Sequence, residues 1–513
     1  MKPRICLSLV LAVLLASGAG LSSGPVLHPA GGLVHEDPNA VPGMTVLAEI
    51  PAVPGVILDG AVDLSAQMPP VGNQGGQLSC VAWAIGYYDK THAEWAEHGW
   101  NDSTPDHQIS PSFIYNQVNS GRNQGVPMSS AQSLICEKGA CMLSDMPYIN
   151  YTDWPSESAY SHGILYRGLD YSALKVTTDA GINSVKNLLA SGKTCVLGIN
   201  VYSNFDYIYN FNYTYTVHDK YGTNRGGHAV CIVGYDDSKV TADGTGAFKL
   251  VNSWGTGWGN AGYWWMSYYA VKYTKANLSG GYVYITNDRI GYSPTALARV
   301  KLTHACRDRV RVSFGIGRSN RPLWTRLFLY GMLSSSITDR PFPNNNMVCD
   351  LSDGASYLAQ SDSVFVRCED QMQDGQTGTI DFLSAEYNSR YGTSPQTPVA
   401  IPDFYTPAYA KLVLPAAFGP QGEPAELSRT GIELFPNPAK AGRVTVKYSL
   451  PLTGPIAVTL LDVSGRAVRR LALDACSFGE GSFALAARGL NAGVYVVEFK
   501  SGAMSATRKL VIQ

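Results

Sequence analysis

A glycine-rich turn that runs directly into a long helical pattern is the feature that most restricts the fold of this chain. The turn reads VGNQGGQLS, and from Cys80 to His98 apolar or aromatic residues recur close to a 3.6-residue period. Gly99 follows as a stop signal. The pattern therefore predicts one long helix that begins at Cys80. Two shorter helices are predicted after it, in PSFIYNQVN and SSAQSLICEKGA.

Beyond about Thr194 the pattern changes from helical to strand-like. The stretches predicted as strands are CVLGINVY, an aromatic-rich stretch from Tyr202 to Tyr221, HAVCIVGYD, AFKLVNSW, GYWWMSYY and GYVYIT. Helices first and strands second predict an α+β domain with two segregated lobes, spanning residues 58–290. A cleft between the lobes is the natural place for a functional site.

Two further regions of short alternating strands follow this domain. Residues 291–414 contain runs such as ARVKLTH, RVRVSFGIG and SVFVRCE, which predict a β-sandwich domain. Residues 415–431 are rich in Pro and Gly and predict a linker. Residues 432–513 alternate again and predict a compact Ig-like β-sandwich. Three folded domains agree with a length of 513 residues, because a domain usually takes roughly 100 to 200 residues.

The N-terminus carries the features of a secretory signal peptide. Lys2 and Arg4 precede a short apolar run, and small residues follow up to Ala19, so residues 1–19 are predicted to be removed. The alternative, a transmembrane anchor, requires about 18 or more apolar residues, and the run is shorter. Residues 20–57 have no lasting periodicity and are predicted to form a flexible leader or a short propeptide.

The charge balance argues against two classes of partner. With 39 basic and 40 acidic residues, the chain has no net field that would attract nucleic acid or an anionic membrane. No segment after the signal peptide is long and apolar enough to span a bilayer, so no transmembrane segment is predicted in the exported chain.

Export makes disulfides possible, and the cysteine count restricts them. Removal of the signal peptide leaves nine of the ten cysteines, so at least one thiol stays unpaired within the chain. Cys80 is one candidate, but Cys195 and Cys231 lie in apolar strand-like runs and are equally good candidates for buried free thiols. One disulfide is plausible among three cysteines of the middle region, Cys306, Cys349 and Cys368.

A group of polar residues supplies what thiol-dependent hydrolysis needs: a thiolate, a base, a group that orients the base, and a donor to the oxyanion. Cys80 begins a helix, where exposed N–H groups favour a thiolate and are expected to lower the thiol pKa. Gln74 lies in the preceding turn and can donate to an oxyanion beside the Cys80 N–H. His228 opens an apolar strand and is the predicted general base and acid. Asn252 can orient the imidazole, with Trp254 shielding that hydrogen bond from water.

Three blocks of the chain resemble, in order and spacing, the active-site blocks of papain-family (C1) cysteine peptidases. They read NQGGQLSCVAW, GGHAVCIVGY and VNSWGTGWGNAGYW. The resemblance covers about residues 60–288 and implies a papain-like two-lobed catalytic domain that requires no metal or cofactor. It assigns the oxyanion donor to Gln74, the nucleophile to Cys80, the base to His228, the orienting group to Asn252, the shield to Trp254, and substrate binding to Gly125 and Gly227.

This chain departs from the family pattern at several points. Gln77 replaces the first cysteine of the usual C-G-[SA]-C-[WY] block, so the disulfide that normally ties down this loop is absent, and Val81 replaces the neighbouring aromatic residue. Gly125 matches a glycine that lets substrate backbone pair along the cleft, but an ordinary turn glycine is an equal interpretation. The short leader lacks the long helical inhibitory propeptide common in the family, so any latency must arise differently.

The C-terminal region resembles another family, the sorting domains of the bacterial type IX secretion system. The blocks LFPNPA, LLDVSGRAV, LNAGVYVVEF and TRKLVIQ carry the resemblance. It implies that residues 432–513 engage the secretion machinery and that the protein is secreted or held at the cell surface. The alternative is an Ig-like adhesion module that stays attached.

Together these patterns predict a secreted cysteine endopeptidase that acts on proteins or peptides through a thioester at Cys80. The alternative belongs to another functional class: a catalytically degenerate, papain-like adhesion or binding protein of the cell surface that uses its β-domains. Inertness of Cys80 together with binding that needs residues 291–414 would favour this alternative.

Overall fold

The structure, a computed structural model, describes most of the chain from residue 27 onward. The described residues are 27–51, 58, 60–100, 103–331, 340–388, 390–415, 432–435, 437, 439, 443–450, 454–461, 467–476, 479–486, 490–501 and 504–513. The predicted signal peptide lies outside the described residues, and so does the predicted linker after residue 415.

The predicted long helix is confirmed. It begins at Cys80 and ends at His98, and Gly99 closes it with a left-handed φ of 64°, which glycine adopts without strain. Its middle segment is π-helical, a form that often occurs near functional sites. The helices of this region are α1 (Cys80–Ala82), the π-helical segment (Trp83–Lys90), α2 (Thr91–His98), α3 (Pro111–Val118), α4 (Met128–Lys138), α5 (Glu157–Gly163), α6 (Asp179–Ala190) and α7 (Tyr268–Lys272).

A nine-stranded sheet packs beside these helices and forms the second lobe. Its strands are β1 (Thr45–Leu47), β2 (Ala61–Asp63), β3 (Gly168–Lys175), β4 (Cys195–Tyr202), β5 (Thr214–Tyr215), β6 (Asn224–Thr241), β7 (Gly244–Val251), β8 (Tyr263–Ser267) and β9 (Ser279–Asp288). Their order is β1-β3-β9-β4-β6-β7-β8-β5, with β2 paired to β6. The long strand β6 therefore lies inside the sheet. It carries His228 beside β4, opposite Ile199.

The strand prediction for the aromatic-rich stretch Tyr202–Tyr221 is wrong over most of its length. After the end of β4, residues Phe205–Phe211 form a 3-10 helix, and only Thr214–Tyr215 pair as a short strand. The stretch folds in this way because Phe205 inserts between aromatic rings of the sheet, within 5.6 Å of the Trp254 ring. Tertiary packing here overrides the strand propensity of aromatic residues.

The middle region is rich in strands, as predicted. It contains β10 (Ala296–Thr303), β11 (Val310–Arg318), β12 (Arg321–Leu329), β13 (Met347–Asp350), α8 (Ala355–Leu358), β14 (Ser363–Asp370), β15 (Gly378–Tyr387), β16 (Arg390–Thr393), β17 (Val399–Ile401) and β18 (Ala408–Val413). One sheet has the order β13-β10-β15-β16 with β17 on β15, and the other has the order β12-β11-β14-β18. Buried apolar residues of both sheets share one core with α3 and α4.

The disulfide suggested for the middle region is not formed. Cys306, Cys349 and Cys368 are all buried, and none of the three takes part in a disulfide. Cys349 lies on β13 and Cys368 on β14, and both side chains pack as small apolar groups in the core. Among the described residues, eight cysteines take part in no disulfide: Cys80, Cys136, Cys141, Cys195, Cys231, Cys306, Cys349 and Cys368. This set includes Cys195 and Cys231, which were candidates for free thiols.

The C-terminal region consists of strands among its described residues. These are β19 (Ile432–Phe435), β20 (Arg443–Leu450), β21 (Gly454–Leu461), β22 (Ala467–Cys476), β23 (Gly479–Ala486), β24 (Gly493–Ser501) and β25 (Met504–Ile512). They form sheets of order β19-β20-β23 and β22-β21-β24-β25, and both contribute to one apolar cluster. The β-rich character is confirmed, and the specific Ig-like sandwich stays a prediction.

Candidate active site

Cys80 lies at the first turn of the long helix and is fully buried. Ser79 precedes the helix as its N-cap residue. The Cys80 Sγ accepts a hydrogen bond at 3.4 Å from the backbone N–H of Ala229, the residue after His228 on β6. Helix and sheet therefore meet at the thiol, which puts the predicted nucleophile next to the strand of the predicted base.

Gln74 is buried in the turn before the helix, and its carboxamide is held at both ends. Its Oε1 accepts a hydrogen bond from the Ser253 hydroxyl at 2.7 Å, and its Nε2 donates to the Gln77 carbonyl at 2.7 Å. The Gln74 N–H also donates to the Ser253 carbonyl at 2.8 Å. Because one amide N–H satisfies Gln77, the second N–H of the same group stays available to an oxyanion.

His228 and Asn252 form a buried hydrogen-bonded pair. The His228 Nε2 lies 2.8 Å from the Asn252 Oδ1, which also accepts the Ser253 N–H at 2.8 Å. An acceptor oxygen at this position requires that Nε2 carry the proton, so Nδ1 presents a lone pair. Among the described residues, this buried Nδ1 has no hydrogen-bond partner, which leaves it free to act as a base.

Trp254 packs against this pair. Its ring is buried and lies 4.9 Å from the His228 ring. On another side the ring stacks on His28, at 4.8 Å between centroids and 11° between planes. The position agrees with the predicted shielding role. The stacking also places His28, a residue of the leader, in the site.

Burial of the site favours the uncharged forms of both Cys80 and His228. Burial raises the pKa of the Cys80 thiol to about 12, although backbone N–H groups of Ala229, Val81 and Cys80 act in the opposite direction. Burial also lowers the pKa of the His228 imidazole to about 4, against the hydrogen bond to Asn252, which favours the protonated form. The lowered thiol pKa expected at the helix start is therefore not found while the site is buried, because desolvation of a thiolate outweighs the N–H groups around it.

The leader contributes to this burial, because its backbone at Gly32 packs against the Cys80 Sγ and runs along the predicted substrate cleft. The N–H groups of Gly31 and Leu33 both donate to the Gly227 carbonyl, at 2.9 and 3.1 Å. Val126, next to Gly125, exchanges two backbone hydrogen bonds with the leader, one with Gly32 and one with Val34, each 3.1 Å long. The leader is therefore hydrogen-bonded to both walls of the cleft.

Glycine is required at several points of this close approach. A Cβ on Gly125 would lie 2.3 Å from the Gly31 carbonyl oxygen, and one on Gly227 would lie 2.4 Å from that of Leu33. A Cβ on Gly32 would lie 2.7 Å from the Cys80 Sγ. Gly125 and Gly227 thus admit an extended backbone. Their pairing with substrate stays a prediction.

Two leader side chains anchor the segment on either side of the thiol. Leu33 is buried in an apolar pocket, and a Cβ on Gly198 of β4 would lie 2.8 Å from its Cδ2. His28 donates its N–H to Asp206 at 3.0 Å and pairs its Nδ1 with the same carboxylate at 2.9 Å. Arg225 binds both this carboxylate and the His28 carbonyl. The leader is thus fixed by one apolar and one polar contact.

Several residues of the site were missed by sequence reasoning. The leader segment gave no periodic signal, because it contributes an extended backbone to a sheet edge formed by distant residues. Asn123 and Tyr148, which bind the turn before Cys80, were also missed. Their only signals were a turn motif, GRNQGVP, and the tyrosine of MPY, and neither indicates a contact.

Two groups of side chains in the described residues are close enough to share a cation. One comprises Glu94, Glu97 and His98, and the other comprises Asp370, Asp374 and Asp403. Neither group includes a residue of the candidate site. The chemistry that the arrangement around Cys80 can perform is that of a thiol beside an oriented imidazole.

Comparison with known proteins supports the resemblances on which these assignments depend. Residues 62–280 match the family described as papain family cysteine protease, and residues 433–513 match the family described as secretion system C-terminal sorting domain. Both resemblances are thereby confirmed. The first match supports the papain-like α+β fold, and the second indicates secretion or attachment to the cell surface.

Individual relatives are distant. An uncharacterized peptidase C1-like protein of Acanthamoeba polyphaga mimivirus is 29% identical over 232 residues, which cover 41% of this chain and 70% of the relative. A cathepsin B-like protein of Giardia intestinalis is 37% identical over 95 residues, 18% of this chain and 29% of the relative. Among solved structures, xylellain, a cysteine protease from Xylella fastidiosa, has 22% identity and a TM-score of 0.41, covering 51% of this chain and 97% of that one.

These matches support a secreted protease of the cysteine type and do not favour the degenerate binding protein. Within the described residues, no helix has the length and apolar character needed to cross a membrane.

Proposed function

We propose that the protein is a secreted cysteine endopeptidase that is latent while its leader occupies the cleft. It cleaves peptide bonds of protein or peptide substrates through a thioester at Cys80. The domain division that accompanies this proposal is a leader (20–57), a catalytic domain (58–290), a β-sandwich (291–414), a linker (415–431) and an Ig-like sorting domain (432–513).

The reaction proceeds in two stages. The His228 Nδ1 takes the proton of the thiol, and the Cys80 thiolate attacks the peptide carbonyl carbon. The second N–H of Gln74 and the backbone N–H of Cys80 stabilise the oxyanion. The imidazolium then protonates the leaving amine, a thioester forms, and water activated by His228 hydrolyses the thioester to regenerate the thiol.

The observation that carries this proposal is the orientation of the imidazole. His228 Nε2 is bound to Asn252 at 2.8 Å, while Nδ1 is buried without a partner among the described residues. A structural histidine in a core would satisfy both ring nitrogens, because a buried unsatisfied polar atom costs about 1–3 kcal/mol. The thiol that accepts the N–H of the following residue, Ala229, lies at the same place in the fold.

The direct test is covalent labelling with an epoxide or iodoacetamide probe. It compares the intact chain with a leader-displaced chain, defined as the protein carrying Leu33→Asp. We expect Cys80 to be labelled in the leader-displaced protein at neutral pH, with loss of peptidase activity in proportion to labelling, measured by peptide mass spectrometry. Complete labelling of Cys80 without loss of activity would contradict the proposed nucleophile.

Replacement of Asn252 tests the orientation of the base. In the leader-displaced protein we expect Asn252→Ala to lower kcat about 100-fold with little change in KM, because general acid–base catalysis contributes about 10²–10⁴-fold and depends on the imidazole geometry. The matched control is Asn116→Ala. Asn116 is equally buried and donates to two backbone carbonyls, those of Asn150 and Asp153. Equal kcat losses in the two variants would contradict the orienting role.

A further inference from the structure

The turn before Cys80, residues 74–79, must hold the oxyanion donors but lacks the expected disulfide. We call it the oxyanion loop. It contains two consecutive glycines, Gly75 and Gly76, and Gly75 has a φ of 56°. Glycine has more backbone freedom than any other residue, so a glycine-rich loop is costly to order. Gln77 stands where the family has a cysteine, and within the described residues its side chain donates one hydrogen bond, to the Ile149 carbonyl at 3.4 Å.

Tyr148 joins the two ends of the oxyanion loop. Its hydroxyl donates to the Gln74 carbonyl at 2.8 Å and lies 2.6 Å from the Ser79 Oγ. Because a phenol has one proton, the Ser79 hydroxyl donates to it. Gln74 carries one proposed oxyanion donor, and Ser79 is the residue before the other donor, the Cys80 N–H. The Tyr148 hydroxyl is thus hydrogen-bonded next to both proposed oxyanion donors.

Asn123 holds the middle of the oxyanion loop. Its Oδ1 accepts the Leu78 N–H at 2.7 Å and its Nδ2 donates to the Gly76 carbonyl at 2.9 Å. The Tyr115 hydroxyl lies 3.2 Å from the same Oδ1 and 2.8 Å from the Gln124 carbonyl oxygen. A side chain from the segment between α3 and α4 therefore makes a two-point contact with the loop backbone.

We propose that Tyr148 and Asn123 are positioning residues that take the place of the absent disulfide, by fixing the oxyanion loop through four hydrogen bonds. The proposal rests on the peptidase function proposed above. The two residues do not touch substrate. They act through Gln74 and the Cys80 N–H, and their effect falls on the transition state.

The physical reason is the short range of oxyanion stabilisation. Donors act when they lie about 2.7–3.1 Å from the developing oxyanion, and loss of one donor lowers kcat about 10²–10³-fold. If loop motion displaces a donor, part of the oxyanion stabilisation is lost and kcat falls. Binding of the peptide substrate along the cleft walls in the ground state is unaffected. The expected signature is a fall in kcat with unchanged KM.

The experiment compares Tyr148→Phe with Tyr87→Phe in the leader-displaced protein. Both tyrosines pack on the Trp83 ring, at 5.0 and 4.6 Å, and each donates a hydroxyl to a backbone carbonyl. The acceptor for Tyr87 is Pro70, outside the oxyanion loop. We expect Tyr148→Phe to lower kcat about 10- to 50-fold at unchanged KM, and Tyr87→Phe to lower it less than about 3-fold. Thermal unfolding of both variants checks that the fold is kept.

Inhibition by a peptide aldehyde is a second measurement. The inhibition constant should not change if Tyr148 has a purely structural role. The aldehyde adds to the thiol to form a hemithioacetal, whose oxygen occupies the oxyanion position. Its inhibition constant should rise in Tyr148→Phe by about the factor by which kcat falls. Asn123→Ala should behave in the same way, and the exposed position of Asn123 makes loss of the fold a small risk.

The outcomes separate this inference from the proposed function. Wild-type kcat in both Tyr148→Phe and Asn123→Ala overturns the positioning role, while the peptidase function stands. Equal losses of kcat in Tyr148→Phe and Tyr87→Phe also overturn it, because they indicate general loosening. A leader-displaced protein that labels at Cys80 but cleaves no peptide removes the proposed function and this inference together.

Discussion

Replacement of Cys80 by Ala is expected to lower peptidase activity of the leader-displaced protein by at least about 10⁴-fold. The reason is that the proposed reaction forms a covalent bond to this sulfur, and the remaining groups of a catalytic set supply only a residual rate when the nucleophile is lost. Cys80→Ser keeps the shape of the side chain and should be inactive to a similar degree. The measurement is single-turnover cleavage of a fluorogenic peptide by purified protein.

Cys136 is the matched control for this experiment. It is the one cysteine described as partly exposed, and burial raises its thiol pKa to about 12 as well. Cys136→Ala should keep wild-type activity. Peptide cleavage by Cys80→Ala at the wild-type rate would remove the proposed mechanism and would favour a cell-surface binding role for the protein.

The second large effect concerns the leader, which we expect to suppress reactivity at Cys80 by about 100-fold or more. Gly32→Val introduces a branched side chain where a Cβ alone would lie 2.7 Å from the Cys80 Sγ and 2.9 Å from the Leu78 carbonyl. Leu33→Asp puts a carboxylate into an apolar pocket, which costs several kcal/mol unless the segment leaves. Either change should displace the leader, expose the thiol to water and lower its pKa from the raised value.

The readout is the rate at which an epoxide probe labels Cys80 in the intact chain, with the mass of the protein checked before and after. Val34→Asp is the control, because the Val34 side chain is 49% exposed and its backbone N–H donates to the Val126 carbonyl. Its labelling rate should match the wild-type rate. If wild-type protein with an intact leader is labelled as fast as Gly32→Val, the leader does not cause latency.

Some elements of the fold could be predicted from the sequence and others could not, for physical reasons. The helix from Cys80 to His98 was predictable, because a 3.6-residue period and a terminal glycine are local signals. The stretch after Tyr202 was not predictable from the sequence, because Phe205 lies in a 3-10 helix and packs between aromatic rings. The absence of a disulfide in the middle region was not predictable either, because a disulfide depends on the distance and direction between two Cβ atoms in the folded chain.

In the candidate site, the types of residue could be predicted from the sequence, whereas the contacts between them could not. Cys80, His228 and Asn252 could be proposed together because the types of residue and their order along the chain are properties of the sequence. The hydrogen bond from His228 to Asn252 is an outcome of the pairing of β6 with β7, and it places residues that are 24 positions apart within 2.8 Å. The proton on Nε2 follows from that contact.

By itself the sequence determined the chemical groups of the site, the long helix that begins at Cys80, and the secretion signal carried by the C-terminal region. Each of these depends on residue type and local spacing. Only the tertiary structure decided that the leader covers Cys80, that burial raises the thiol pKa to about 12, and that Tyr148 and Asn123 bind the oxyanion loop. These features arise from contacts between segments far apart in the chain, and desolvation and hydrogen bonding depend on such contacts and not on sequence spacing.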